Sequence, residues 1–238
     1  QKLVNKIFDK YYGSTLNLNE LQDGISLIKK WYEDRGYSLA RVAGPERISD
    51  NGSIQLNIDE GIVSKIQIRF IGLDEKVRKG KTKEWVIRRE LKTNSGVVFN
   101  RKTLENDIKR LYATSLFNDI KVSLKPDDQN SKRVIIALDI SEQRTGSLTG
   151  GVGFSNSAGI FAQLGFKESN TFGRAWSTDL NLNFGSYSTT YNFSLYDPWI
   201  KGDKHRTSFK TNIFLSRDYP QEFRSKDNGR FFAVNDKD

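Results

Sequence analysis

From residue 175 onward the chain is written in a period of two. Trp176, Thr178, Leu180, Leu182 and Phe184 alternate with Ser177, Asp179, Asn181 and Asn183, the side-chain period of an extended strand with one apolar and one wet face. Tyr191, Phe193 and Leu195 alternate in the same way with Thr190, Asn192 and Ser194, and Phe209, Thr211, Ile213 and Leu215 with Ser208, Lys210, Asn212 and Ser216. Two weaker segments come before them: 148–154, rich in glycine, and 160–166.

A soluble sandwich and a membrane β-barrel both produce this alternation. Asn, Ser, Asp and Lys on the wet face suit a water-filled lumen. The apolar face ends in Trp176, Tyr187, Tyr196, Trp199 and Tyr219, the residue types that collect at the two interfaces of a bilayer. Segment length agrees with the roughly 9–11 residues that a tilted membrane strand requires. The pattern therefore predicts five antiparallel strands of a transmembrane barrel over residues 146–238. A barrel in lipid must close, because an open edge leaves backbone groups unpaired, so further strands are expected beyond Asp238. A soluble antiparallel sheet with one solvated face remains the alternative.

Composition separates this region from the rest. Of the 28 aromatic residues, 17 fall in residues 146–238. Residues 1–145 carry 27 Lys+Arg and 20 Asp+Glu, a net of +7, and the remainder 11 and 9, a net of +2, which together make the +9 of the whole chain. No stretch approaches the eighteen or so apolar residues of a membrane helix. With no Cys and a single His, a disulfide framework, a thiolate site and a multi-histidine metal site are excluded. Serine-type catalysis would rest on His205 alone, and His205 stands between Lys204 and Arg206 at a strand start, a turn position. Asp127, Asp128 and Asp236 lack the spacing of a calcium loop. The chain contains no Met, which leads us to expect a processed product or an internal piece of a longer protein.

The basic part holds a repeat with an offset of about 80 residues. Its second copy opens with a strand over 63–70, continues through Gly72 into a basic loop and forms a short helix over 84–91. Asn100 then caps a helix whose Leu104, Ile108 and Leu111 recur at i, i+4 and i+7, with Glu105 near its start and Phe117 at its close. Strands over 120–124 and 133–140 follow, joined by a polar loop holding Pro126, Asp127, Asp128 and Asn130. The order is β-α-α-β-β. The first copy places Leu21, Ile25 and Ile28 at 83 residues before Leu104, Ile108 and Leu111, ends its helix at Gly36, and adds strands over 38–42 and 53–58 around Gly44-Pro45 and Asp50-Asn51-Gly52. Ahead of it stands a helix over 3–12 where an opening strand would be expected, so this repeat reads as cut.

A tandem β-α-α-β-β unit containing Gly96-Val97-Val98-Phe99-Asn100, a helix ending Leu116-Phe117-Asn118-Asp119-Ile120-Lys121-Val122 and a last strand ending at Glu142 resembles the POTRA domains of outer-membrane assembly factors. Gly150-Gly151-Val152-Gly153-Phe154, Asn170-Thr171-Phe172-Gly173 and Asp197-Pro198-Trp199 resemble the start of the bacterial surface-antigen barrel. Tyr37-Ser38-Leu39-Ala40-Arg41-Val42, the stretch 57–62 and the insertion at 76–83 resemble the cyanobacterial and plastid branch of the BamA-type family. The resemblance covers the whole chain and implies an α+β fold of tandem POTRA domains followed by the N-terminal strands of an antiparallel transmembrane β-barrel. Residues 1–61 would be a POTRA domain lacking its first strand, 62–145 a complete one, and 146–238 the barrel strands. The family's Arg-Gly-rich lumen motif has no match here.

What the resemblance implies is a non-enzymatic outer-membrane assembly factor, working without cofactor, metal or nucleotide, in a Gram-negative-type outer membrane with its POTRA domains in the periplasm, or in a plastid outer envelope. Its partners would be unfolded outer-membrane proteins or translocating polypeptides, the lipid bilayer and accessory assembly subunits. Strand addition supplies the physical route, since an exposed sheet edge can pair with an extended client. The matching edge residues are Leu39 and Arg41 in the first repeat and Ile120, Val122 and Leu124 in the second, with the apolar set Ile120, Val122 and Leu124 expected to face the helices. For the barrel, the lateral gate would be the strand of Leu148, Gly150, Gly151, Val152, Gly153 and Phe154, whose glycines weaken pairing, although glycines at a barrel bend look the same. Lys76, Arg78, Lys79, Lys81, Lys83, Arg88, Arg89 and Lys92 form a basic patch. It reads as a solvated loop and helix face, as a surface for anionic lipid or acidic client, or less readily as a nucleic-acid site. A two-partner-secretion-type transporter of the same superfamily and a soluble nucleic-acid-binding protein using this patch are the alternatives.

Overall fold

The computed structural model describes residues 2–15, 17–45, 49, 54–72, 74–156 and 159–218. Tyr219, Asp236 and the Asp50-Asn51-Gly52 turn lie outside the described residues. The chain divides into two compact units, one of Gln1–Gly80 with Glu84–Gln143 and one of Lys81–Lys83 with Arg144–Asp238.

In the first unit, α1 (Lys2–Phe8) runs into a short 3-10 turn and is followed by α2 (Leu18–Asp34). Asn17 starts α2 by accepting from the Asn19 N–H at 3.0 Å, as a short polar cap should. Leu21 and Ile28 are buried on one stripe of α2, with Gly24 between them, and the Phe8 ring lies against Gly24. Strands β1 (Arg41–Ala43) and β2 (Asn57–Asp59) pair antiparallel. Here the sequence expectation of a strand over 38–42 is corrected: Ser38 and Leu39 form a turn, because the Ala40 N–H bonds back to the Tyr37 carbonyl at 3.0 Å.

The second repeat contains β3 (Ile62–Ile71), β4 (Val77–Arg78), α3 (Glu84–Glu90), α4 (Arg101–Ala113), β5 (Phe117–Asp127) and β6 (Asn130–Glu142). The sheet order is β4-β3-β6-β5, with β3 parallel to β6 and the other pairs antiparallel. Asn100 caps α4 by accepting from the Thr103 N–H at 3.1 Å. Leu104 and Leu111 are buried and Ile108 half-buried, the same exposure pattern as Leu21, Ile28 and Ile25 in the first copy. The Asp107 carboxylate, fully buried, accepts from the Lys92 and Thr93 N–H groups at 3.0 and 2.8 Å and pairs with Arg110. It fixes the chain that leaves α3. Phe117 does not close the helix; it opens β5, since Ser115 takes a left-handed φ of 56° and turns the chain. Pro126 lies inside β5 opposite Val134, and the polar loop shrinks to a tight turn.

The two repeats are joined by backbone. The carbonyls that end α2 have no partner within the helix, and the start of α4 supplies the donors: Arg101 N–H bonds the Gly36 carbonyl at 2.7 Å and Asn100 Nδ2 the Arg35 carbonyl at 2.9 Å. Gly36 sits at φ +90°, and a Cβ there would stand 2.7 Å from Asn100 Oδ1, so glycine meets both the left-handed backbone and the close approach.

The second unit contains β7 (Gly146–Ser155), β8 (Gly159–Thr171), β9 (Trp176–Gly185), β10 (Ser188–Asp197) and β11 (Phe209–Asp218). Among the described residues they form an antiparallel meander in chain order. The register sets Leu148 against Phe166, Leu164 against Leu182, Leu182 against Tyr191 and Tyr191 against Leu215, so one face is apolar from edge to edge. The other carries Gln163, Asn183 and Thr190 in one row and Lys167, Asp179, Ser194 and Asn212 in another. Phe161 belongs to this polar face, and its ring covers Gly153 at 2.6 Å from where a Cβ would stand.

Tyr32 on α2 donates to Glu60 at 2.8 Å, and burial, reinforced by that bond and the carboxylate charge, pushes its phenol up to about 12 from the usual 10.0. The folded state therefore keeps a proton that the unfolded chain releases, so stability is complete below pH 10 and declines as pH rises from 10 through 12. Alkaline unfolding followed by circular dichroism should show this decline in the native protein, and Tyr32→Phe should flatten it.

Candidate functional site

Strand β5 is the outer strand of its sheet and pairs only with β6 among the described residues. Ile120 is buried, but Val122 and Leu124 are 40% and 42% exposed. All three share one face of the strand, but only Ile120 is covered there, so the expectation that the whole set packs on the helices is corrected for Val122 and Leu124. Their partners across the ladder, Leu138 and Ile136, are fully buried; the edge strand has a neighbour on one side only and leaves its far apolar residues open to solvent. At the opposite edge, β4 is two residues long, a short edge of the kind that discourages pairing. The first-repeat candidates divide: Arg41 lies in β1, and Leu39 lies in the preceding turn with its Cβ beneath Gly61.

Several residues of the basic patch have partners of their own. Arg78 pairs with Asp74 at 3.1 Å, and that hydrogen bond holds the Asp74 carboxyl below its usual range. Arg88 pairs with Glu84 at 2.6 Å and donates to the Ile66 carbonyl. Arg89 lies over the Trp85 ring and 3.8 Å from Glu90. Lys76, Lys79 and Lys83 are exposed. The Lys92 N–H is used by Asp107. Lys81 belongs to the second unit, where it bonds Glu168 at 2.8 Å and Thr145 at 3.3 Å. A row of phosphates would need these cations side by side and unpaired.

Lys81 is one member of a polar cluster at the end of the second unit where β7 begins. Glu168 accepts from Lys81, from Thr145 at 2.5 Å and from the Asn170 N–H at 2.8 Å. Asn170, 2% exposed, donates to Thr82 at 2.8 Å and accepts from the Ala175 N–H at 2.9 Å. The Lys83 N–H bonds the Gly173 carbonyl at 2.8 Å. These residues hold 81–83 against the β8–β9 turn. Sequence reasoning noted Asn170 and Gly173 only as a motif; pairing across 88 residues left no local signal.

The glycine-rich β7 is the other outer strand, paired with β8 along its whole length from Gly146 to Ser155 and unpaired on its far side among the described residues. Leu148, Val152 and Phe154 are exposed on the apolar face. Gly150 and Gly151 stand opposite Leu164 and Gln163 without crowding them.

Residues 1–61 match the family model of the ShlB-type POTRA domain, residues 66–143 the POTRA model described as surface antigen variable number repeat, and residues 170–236 the Omp85 superfamily domain. The chain thus carries POTRA domains followed by part of an Omp85 superfamily domain. Outer envelope protein 80, chloroplastic, of Oryza sativa subsp. japonica is 27% identical over 225 residues, covering 91% of this chain and 33% of that protein. The N-terminal domain of Omp85 from the thermophilic cyanobacterium Thermosynechococcus elongatus aligns at 42% identity and a TM-score of 0.57 over 60% of each chain. BamA from Haemophilus ducreyi lacking POTRA domains 1–3 aligns at 27% identity and a TM-score of 0.56, over 91% of this chain and 41% of that one. The chain spans about a third of the length of the curated relatives it matches. Its fold is POTRA domains followed by antiparallel strands resembling the N-terminal part of a BamA-like barrel.

In the Omp85 strands, a methyl at Gly173, which sits at φ +71°, would overlap the Lys81 carbonyl. Gly173→Ala is therefore expected to free residues 81–83, raising amide exchange at Lys83 at least several-fold while leaving exchange within β9 and β10 unchanged; unchanged exchange at Lys83 would show that the turn adapts.

Proposed function

We propose that this chain is part of an outer-membrane protein assembly or translocation factor, located in an outer membrane or plastid outer envelope with its POTRA domains on the periplasmic side. The observation that carries the reading is the antiparallel edge of β5, where Val122 and Leu124 stand exposed beside backbone that has no outer strand among the described residues. An extended client pairing there gains main-chain hydrogen bonds with little demand on sequence, and alternate side chains meet Val122 and Leu124. Unfolded barrel strands, apolar at every second position, have the matching pattern. The names of the relatives agree with such a role: BamA is called an outer membrane protein assembly factor. POTRA-bound clients would then pass to β7, the edge strand whose glycines lower the cost of parting from a neighbour. No catalytic group is needed, since pairing and burial supply the driving force.

A photo-crosslinker placed at position 124 of the full-length protein should capture an unfolded outer-membrane protein, whereas one at the exposed Lys109 on α4 should not. Val122→Lys, a side chain of the kind that protects sheet edges, should lower capture several-fold with stability unchanged to within about 0.5 kcal/mol, as for exposed sites generally. Equal capture from both positions, or capture indifferent to Val122→Lys, would remove β5 from the mechanism.

A further inference from the structure

In the five-stranded sheet, the β8–β9 turn and the β10–β11 loop lie at the same end, because β7 begins there at Gly146 and the strands run as a meander. They are also neighbours, since Ser177, just after the first, pairs with Tyr196, just before the second. Both are built alike. In the first, Arg174 lies over the Trp176 ring at 5.0 Å and Phe172 is 75% exposed at the tip. In the second, Arg206 lies over the Trp199 ring at 4.6 Å and Ile200 is 41% exposed.

The backbone is bent to make this arrangement. Phe172, Ala175 and Arg206 take left-handed φ values of 56°, 60° and 57°, a conformation that costs free energy in residues with side chains. Asp203 closes the second loop by accepting from the Thr207 and His205 N–H groups at 2.7 and 3.0 Å, bonds that hold its carboxyl below the usual range. Trp199 Nε1 donates to the Asp203 carbonyl at 2.7 Å, which fixes the indole as a platform. Residues 172–175 and 198–208 contain Arg174, Lys201, Lys204 and Arg206 against Asp203 as their one acidic residue.

An arginine stacked on an indole is oriented through its flat face, and the in-plane N–H fork is what binds a phosphate or a similar oxyanion. An exposed apolar tip beside each pair belongs in the boundary between headgroups and acyl chains, where tryptophan also settles. The geometry points to a binding site for anionic lipid headgroups formed by these two turns, with Arg174 and Arg206 as the headgroup ligands and Phe172 and Ile200 as apolar anchors beside them. The site rests on the reading of this sheet as membrane-spanning, and it goes beyond it by giving one rim of the barrel a preference among lipids. An acidic polypeptide would be met by the same cations, but the exposed Phe172 and Ile200 favour a lipid.

The test uses the full-length protein in nanodiscs of phosphatidylcholine with and without phosphatidylglycerol, with retained lipids counted by native mass spectrometry. Each arginine is expected to contribute roughly a five-fold preference for the anionic lipid, lost in Arg174→Gln, Arg206→Gln. Arg174→Lys, Arg206→Lys, which keeps the charge without the fork, should retain part of it, and inorganic phosphate should not displace the lipid. Enrichment that survives the double glutamine variant, or displacement by inorganic phosphate, would overturn the proposal. Resistance to alkaline extraction separates the two readings: protein that inserts normally yet retains no anionic lipid sinks the site alone, whereas protein that fails to insert sinks the membrane reading and the site with it.

Discussion

Strand β6 is hydrogen-bonded along both edges, parallel to β3 and antiparallel to β5, and Val134 through Leu138 are buried on both of its faces. A strand saturated in this way leaves nothing to offer a partner, and what the POTRA sheet can offer is displaced to its margins. One margin is a two-residue strand; the other, β5, extends for eleven residues. The same rule governs the second unit, where β7 is paired throughout on one side. Backbone groups that must be paired somewhere therefore set which strands of each sheet are interior and which are edges.

Charge is used locally in both units. The basic segment around residue 80 reads in sequence as one patch, yet Arg78, Lys81 and Arg88 each have an acidic partner and Arg89 an aromatic platform. Arg174 and Arg206 stand toward solvent on indole platforms in a region whose net charge is small. Bulk charge and the placement of exposed cations are therefore separate matters, because pairing cancels some cations and stacking orients others.

Much of the fold was legible. Leu21, Ile25 and Ile28 and their counterparts Leu104, Ile108 and Leu111 carry a helical period, Asn100 is a cap by chemistry alone, and the two-residue alternation of 176–184 and 209–215 placed the strands and their faces. The failures have a shared physical origin. Ser38 and Leu39 were read as strand from local preference, but a hydrogen bond between Ala40 and Tyr37 closes a turn. Val122 and Leu124 follow the same alternation as Ile120, and no sequence rule says that the strand carrying them lacks an outer neighbour. Asn170 and Thr82 meet across 88 residues, a separation over which one sequence holds no pairing signal.

The amino-acid order by itself determined most of the secondary elements, the β-α-α-β-β unit with its partial repeat and the two-faced character of the last five strands, since these depend on contacts within a few residues. Tertiary structure alone decided which strand became an edge, which cations were neutralised, and that the β8–β9 turn and the β10–β11 loop would set their arginine–tryptophan pairs at one rim. Those outcomes depend on strand order and register, which arise from the summed burial and pairing of the whole sheet.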